Sequence, residues 1–321
     1  MRRFSGYPWL AVFPALLVAA GLAIAQSFPS KTIHLVSGVS PGSASDTIAR
    51  IVAEKLQASL GQPVIVENRL GAGGLIAAQA VARGEADGHV IMIYTSAYTV
   101  APLLNPAMLK TDELTPVAAM AIVPTTLVVQ PGNFKTVADL VAAAKAKPGS
   151  LVATSAGIGS STHMNLERFR IASGIDVLHV PFKGAPEALT EVLGGRADMY
   201  FALTFQVVSH VREGKLVALA MGSPKRSALL PDVPTTVEAG YPNSDYNFWV
   251  GALVSSRTPR EIVQRLHREL TAAVNAPDIR ERFLKLGADP LTMSQPEFEA
   301  MIREEFEANS RLIKAADIKA N

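Results

Sequence analysis

Short apolar runs and amphipathic stretches alternate along most of this chain, and the alternation stops once and starts again. Residues 32–36 read as a buried strand. Ile48, Ile51, Val52, Leu56 and Leu60 then share one helical face, which Gly61 ends. Residues 63–67 read as a second strand, 71–83 as an alanine-rich helix and 90–94 as a third strand. Parallel strands need a crossover between them, so this order predicts a parallel sheet with helices on its faces. Residues 96–116, rich in Pro and Asn, read as irregular. Residues 117–129 form a long apolar run broken by Pro124, a candidate crossing to a second lobe.

The pattern then restarts. Helices are expected over 137–145, 161–173, 186–193 and 206–212, and strands over 151–154, 177–180, 197–201 and 216–221. A Pro-rich loop spans 223–242, a second crossing strand 246–254, and helices 260–275, 277–286 and 295–315 close the chain. With 321 residues the chain exceeds the usual size of one core, and its hydrophobic fraction of 49% can fill two. The expected fold is α/β, two-lobed, with parallel-rich sheets, helices on both faces and two crossover strands. The first lobe is discontinuous, residues 26–122 and 250–321; residues 123–249 form the second, and a ligand cleft lies between them.

Residues 1–25 read as a signal peptide. Arg2 and Arg3 precede an apolar run over 9–25, and Ala23-Ile24-Ala25 is an A-x-A cleavage signal before Gln26. The alternative is a membrane anchor, for which the run is short and broken by Pro14. Setting aside Arg2 and Arg3 leaves 28 basic residues against 28 acidic ones. No basic stripe with interleaved aromatics supports nucleic-acid binding. The absence of cysteine excludes disulfides, thiolate catalysis and cysteine–metal sites.

Two distant segments look alike: Ser40-Pro41-Gly42-Ser43-Ala44-Ser45-Asp46 and Ser155-Ala156-Gly157-Ile158-Gly159-Ser160-Ser161. Each follows a strand and opens a helix, where bare backbone N–H groups and the helix dipole favour an anion. In the first, Gly42 permits close backbone approach, Ser43 and Ser45 add hydroxyls, and Asp46 is either a cap or an acceptor for a ligand group. In the second, Ser160, Ser161 and Thr162 supply more hydroxyls than one cap requires. His163 follows directly, as a structural or a ligand-facing residue.

Phe182-Lys183-Gly184-Ala185-Pro186-Glu187 is fully explained as a strand-to-helix turn, and Lys183, Gly184 and Ala185 are also candidate ligand contacts. Ser96 and Tyr98, after the third strand, and Phe201 and Phe248 are candidate cleft walls. The six histidines show no metal-binding spacing. Neither a P-loop, a G-x-G-x-x-G nor a G-x-S-x-G elbow marks a cofactor or nucleophile site.

These segments together resemble the Bug receptors, the substrate-binding subunits of tripartite tricarboxylate transporters. The most specific stretches are Asp46-Thr47-Ile48-Ala49-Arg50, the run from Gly61 to Arg69, Gly71-Ala72-Gly73-Gly74, Gly159-Ser160-Ser161-Thr162-His163, Val180-Pro181-Phe182-Lys183-Gly184, Leu193-Gly194-Gly195-Arg196-Ala197-Asp198 and Leu230-Pro231-Asp232-Val233-Pro234-Thr235. The resemblance implies a periplasmic binding protein of the type II-like fold. It implies a ligand carboxylate held between the loop before Asp46 and the loop around Ser160, and delivery to a membrane permease. The chain departs from the family at the first loop, with Val39 at the aromatic position and Ser43 in place of a second Gly.

The resulting expectation is a periplasmic, monomeric receptor. It closes its lobes over a small carboxylate, with no cofactor, no metal and no catalysis. A sensor that docks a membrane kinase and a periplasmic hydrolase or transferase are the competing readings.

Overall fold

In the computed structural model residues 28–319 are described; the expected signal peptide lies outside them. The first stretch builds β1 (Ile33–Ser37), α1 (Ala44–Leu60), β2 (Val64–Asn68), α2 (Leu75–Arg83), β3 (Val90–Thr95), α3 (Ala101–Leu104) and β4 (Leu114–Ile122). The middle builds β5 (Thr125–Val129), α4 (Val137–Ala146), β6 (Val152–Ser155), α5 (Ser161–Ser173), β7 (Leu178–Pro181), α6 (Ala185–Leu193), β8 (Met199–Leu203), α7 (Thr204–Arg212) and β9 (Val217–Met221). The chain ends with β10 (Trp249–Ser255), α8 (Arg260–Asn275), α9 (Pro277–Lys285), β11 (Asp289–Pro290) and α10 (Gln295–Ala315).

These strands make two sheets, ordered β11-β4-β10-β3-β1-β2 and β7-β6-β8-β5-β9. Pro124 separates β4 in the first sheet from β5 in the second, and the chain returns to the first sheet at β10. Parallel pairing joins β1 to β2 and β3, and β6 to β7 and β8. Every pairing made by β4, β5 or β10 is antiparallel, so both sheets are mixed and the parallel character is confined to their βαβ portions.

Each sheet is covered on both faces. On one side of the first sheet Ile48, Val52 and Leu56 of α1 meet Leu266 and Leu270 of α8; on the other, Leu75 and Val81 of α2 meet Phe298 and Ile302 of α10. The second sheet buries Leu140, Leu166 and Phe169 on one face and Ala188, Val192 and Val207 on the other. A smaller cluster joins Val100, Met164, Tyr246 and Leu312, drawing together α5, α10 and the segments before α3 and β10.

Two segments differ from the sequence reading. The expected helix over 71–83 starts only at Leu75, because Gly71, Gly73 and Gly74 take positive φ and form a tight turn with a short 3-10 segment. The stretch over 96–116 is not wholly irregular. It holds a 3-10 turn at Ser96–Thr99, capped by the Thr95 hydroxyl, and then α3 with Pro102 in its first turn.

Candidate functional site

Both similar loops end in the same device. Ser43 at the head of α1 and Ser160 at the head of α5 are N-caps in extended conformation, and their hydroxyls accept from the third helical amides, Asp46 N at 3.4 Å and His163 N at 3.3 Å. The first two helical amides have no intrahelical acceptor. Among the described residues, those of Ala44 and Ser45, and of Ser161 and Thr162, make no hydrogen bond, nor does the Ile158 amide. These N–H groups are what each loop can offer an anion.

The second loop is braced from behind. Ala156 N donates to Thr162 Oγ1 at 2.9 Å, Gly157 N to Ser155 Oγ at 3.2 Å, and Gly159 N to His163 Nδ1 at 3.1 Å. Ser155 is fully buried, and His179 Nε2 sits 2.7 Å from its hydroxyl. That is a nucleophile-to-base distance. The serine, however, also meets the backbone of Gly157 and does not line the cavity, so the pair shapes the loop. His163 and His179 stack with centroids 4.2 Å apart. Burial, with the neighbouring His163, lowers the His179 pKa to about 4.

Glu167 completes a cluster with the two histidines, their candidate ligand atoms lying within 4.8 Å of one another. The arrangement suits a proton-ordered brace better than a cation. Accepting the Gly159 amide leaves His163 Nδ1 unprotonated, so its Nε2 carries the hydrogen toward Glu167, 3.5 Å away. Rings stacked at 11° cannot aim their in-plane lone pairs at one ion, and Arg170 already holds Glu167 at 2.9 and 3.0 Å. Burial would raise the Glu167 pKa, yet the bonds from His163 and Arg170 hold it below the ordinary value.

The second loop faces a cavity of about 570 Å³. Its walls on that side are Ala156, Gly157, Ile158, Gly159 and Ser160, with Phe182 and Lys183 from the turn before α6. The opposite walls come from the first-sheet side: Ala72 and Gly73 of the glycine turn, Ala101 and Leu104 of α3, and Asn105. No carboxylate lines it. Of the sequence candidates, Gly159, Ser160 and Lys183 meet here; Gly184 and Ala185 lie just behind Lys183 at the head of α6.

The first loop is placed otherwise than expected. Val39, Ser40, Pro41, Gly42 and Ser43 do not line this cavity. Gly38 packs against the glycine turn instead, where a Cβ would come within 2.5 Å of Gly74 Cα. Asp46 is 1% exposed and accepts from Gly42 N at 2.9 Å, Asn68 Nδ2 at 2.8 Å and Arg50 at 3.0 and 3.2 Å. Its oxygens are taken, so it anchors the loop and is not an acceptor for ligand.

The aromatic candidates are core residues. Tyr98 is buried between Tyr94 and Phe306 and donates its hydroxyl to Thr111 O; Phe201 packs on Phe169; Phe248 joins the core beneath α1 and α8. Ser96 is fully buried and does not line the cavity. Phe201 points into a sheet face by pleat parity, and Tyr98 and Phe248 are set by the turn after β3 and the approach to β10, none of which the sequence resolved. Reasoning from the sequence missed the α3 wall, because a single helical turn carries no periodic signal. It also left the glycine turn as a family feature when it is a wall.

Comparison with known proteins places the chain in a family. The profile of the tripartite tricarboxylate transporter family receptor matches residues 48–318. Protein BugT of Bordetella pertussis is 31% identical over 318 residues, covering 97% of this chain and 98% of BugT. A Rhodopseudomonas palustris protein solved with adipate superposes with a TM-score of 0.80 at 28% identity, covering 91% of this chain and 99% of that one. MatC from the same organism, solved with bound malate, gives 0.76 at 29% identity, covering 89% and 100%. The chain belongs to the tripartite tricarboxylate transporter receptor family, in its Bug branch.

Proposed function

We propose that this protein is a periplasmic receptor that captures a small carboxylated organic molecule in the 570 Å³ cavity and hands it, as a monomer, to a tripartite-type membrane permease. The observation that carries this reading is the position of the braced Ser160 loop. Its open amides at the head of α5 stand beside a cavity whose other wall belongs to the first sheet. Charge-assisted hydrogen bonds to a carboxylate are strong in such a setting, and no acidic side chain lines the cavity to oppose them. The adipate and malate carried by two relatives are ligands of that chemistry.

The lobes of the reading are residues 26–122 with 250–321, and 123–249. Val123 N donates to Phe248 O at 2.8 Å where the two crossing segments pass, a natural bending point. A guest touching both walls stabilises the closed state more than the open one, and this difference drives closure. Native mass spectrometry of the purified protein, then thermal-shift screening of an organic-acid panel, tests the reading. An acid at a hundred times its dissociation constant should add about 2.7 kcal/mol of stability. A broad panel that leaves the melting curve unmoved would overturn it.

A further inference from the structure

α3 stands between the glycine turn on its own side of the cavity and the Ser160 loop on the other. Ala101 Cβ lies 3.7 Å from where a Cβ on Gly73 would stand, and Leu104 Cδ1 lies 3.0 Å from the equivalent point on Gly159. Leu104 is therefore in contact range of the loop that presents the open amides. It is also the bulkiest side chain among the cavity walls of the first-sheet side, beside Ala72, Gly73, Ala101 and Asn105. Across from it, Lys183 is the one cation among the lining residues. Leu104 thus takes up cavity space directly beside the loop at which a carboxylate would be gripped.

We propose that Leu104 is the specificity-determining residue of the cavity, the steric stop that fixes how long an acid can lie between the Ser160 loop and Lys183. This rests on the receptor reading above and goes beyond it by naming the selecting side chain. An apolar wall discriminates by methylene groups, each worth about tenfold or more in affinity when it fills or overfills the space. The wall is adjustable in both directions, because Leu104 is only half-buried and its helix is a single turn.

Calorimetric affinities of wild type, Leu104→Ala and Leu104→Phe for unbranched α,ω-dicarboxylates, from succinate through adipate to suberate, test this. Circular dichroism verifies that both variants fold. Leu104→Ala should move the preferred length upward and weaken the shortest bound acid about tenfold; Leu104→Phe should move it downward by a similar factor. An unchanged ranking in all three folded proteins overturns the assignment of Leu104 and leaves the receptor reading standing. Failure of wild type to bind any acid of the series or of the wider panel overturns both.

Discussion

Asn165 Oδ1 accepts from the Thr125 hydroxyl at 2.7 Å, and the same buried amide donates to Gly222 O at 3.2 Å and Ser244 O at 3.3 Å. One side chain of α5 thus fastens the segment entering the second sheet and the segment leaving it. The helix that carries it begins at the Ser160 loop, so the loop and both crossing segments are tied to one rigid rod.

That tie makes Gly222 obligatory. A Cβ there would stand 2.0 Å from Asn165 Oδ1 and 2.7 Å from Thr125 Oγ1. Gly222→Ala is expected to cost about 1–3 kcal/mol through overpacking. Urea unfolding of Gly222→Ala, Asn165→Ala and the double variant should show a double-variant loss well short of the sum, because the two residues share one contact. Additive losses would mean that the clash lies elsewhere.

At the second loop, Ser160→Ala removes the cap on His163 N and should cost about 1 kcal/mol. Gly159 holds φ of 76° against Leu104, so Gly159→Val adds strain and fills the cavity mouth. Small-angle scattering with saturating acid should show compaction in wild type and none in Gly159→Val. Undiminished compaction would rule out the grip at this loop.

Asp46 predicts an acid-sensitive first loop. Burial would raise its pKa, but the bonds from Arg50, Asn68 and Gly42 outweigh that and hold it below the ordinary 3.8. Its stabilising contribution is then complete above the unfolded carboxylate value and lost as pH falls through the folded one. Asp46→Ala should cost about 1–3 kcal/mol at neutral pH. Asp46→Asn should flatten the acid limb of the stability profile, measured by urea titrations from neutral to acid pH.

Glu305 predicts the opposite slope. Burial raises its pKa from 4.5 to about 7, although Trp249 Nε1 donates to it at 2.8 Å. A carboxyl that holds its proton longer when folded stabilises at low pH. That contribution fades as pH rises from about 4.5 through about 7. Glu305→Gln should abolish this decline. A decline that persists in the variant would assign it to another group.

The order of elements was legible because apolar spacing separates strand from helix without any knowledge of contacts. The start of α5 at Ser161, with its glycines and serine cap, and the full extent of α10 follow from such local chemistry. The site was only half legible. Ser155 and His179 are 24 residues apart and meet because β6 and β7 run side by side, a register that no local pattern states. Tyr98 and Phe201 read as walls and lie in cores: the pleat of β8 turns Phe201 inward, and the 3-10 turn after β3 buries Tyr98. Leu104 was invisible for want of a repeating face.

The strand β10 stands between β3 and β4, yet it is made more than a hundred residues after β4 begins. Until residue 255 has emerged, β3 keeps one unpaired edge and β4 both, since its other neighbour β11 comes later still, while every strand of the other sheet is already present. Synthesis and maturation therefore run in different orders, and the middle of the polypeptide can finish before its beginning. A chain arrested between β9 and β10 would expose the inner edge of β3 and both edges of β4, a ready template for pairing with another chain.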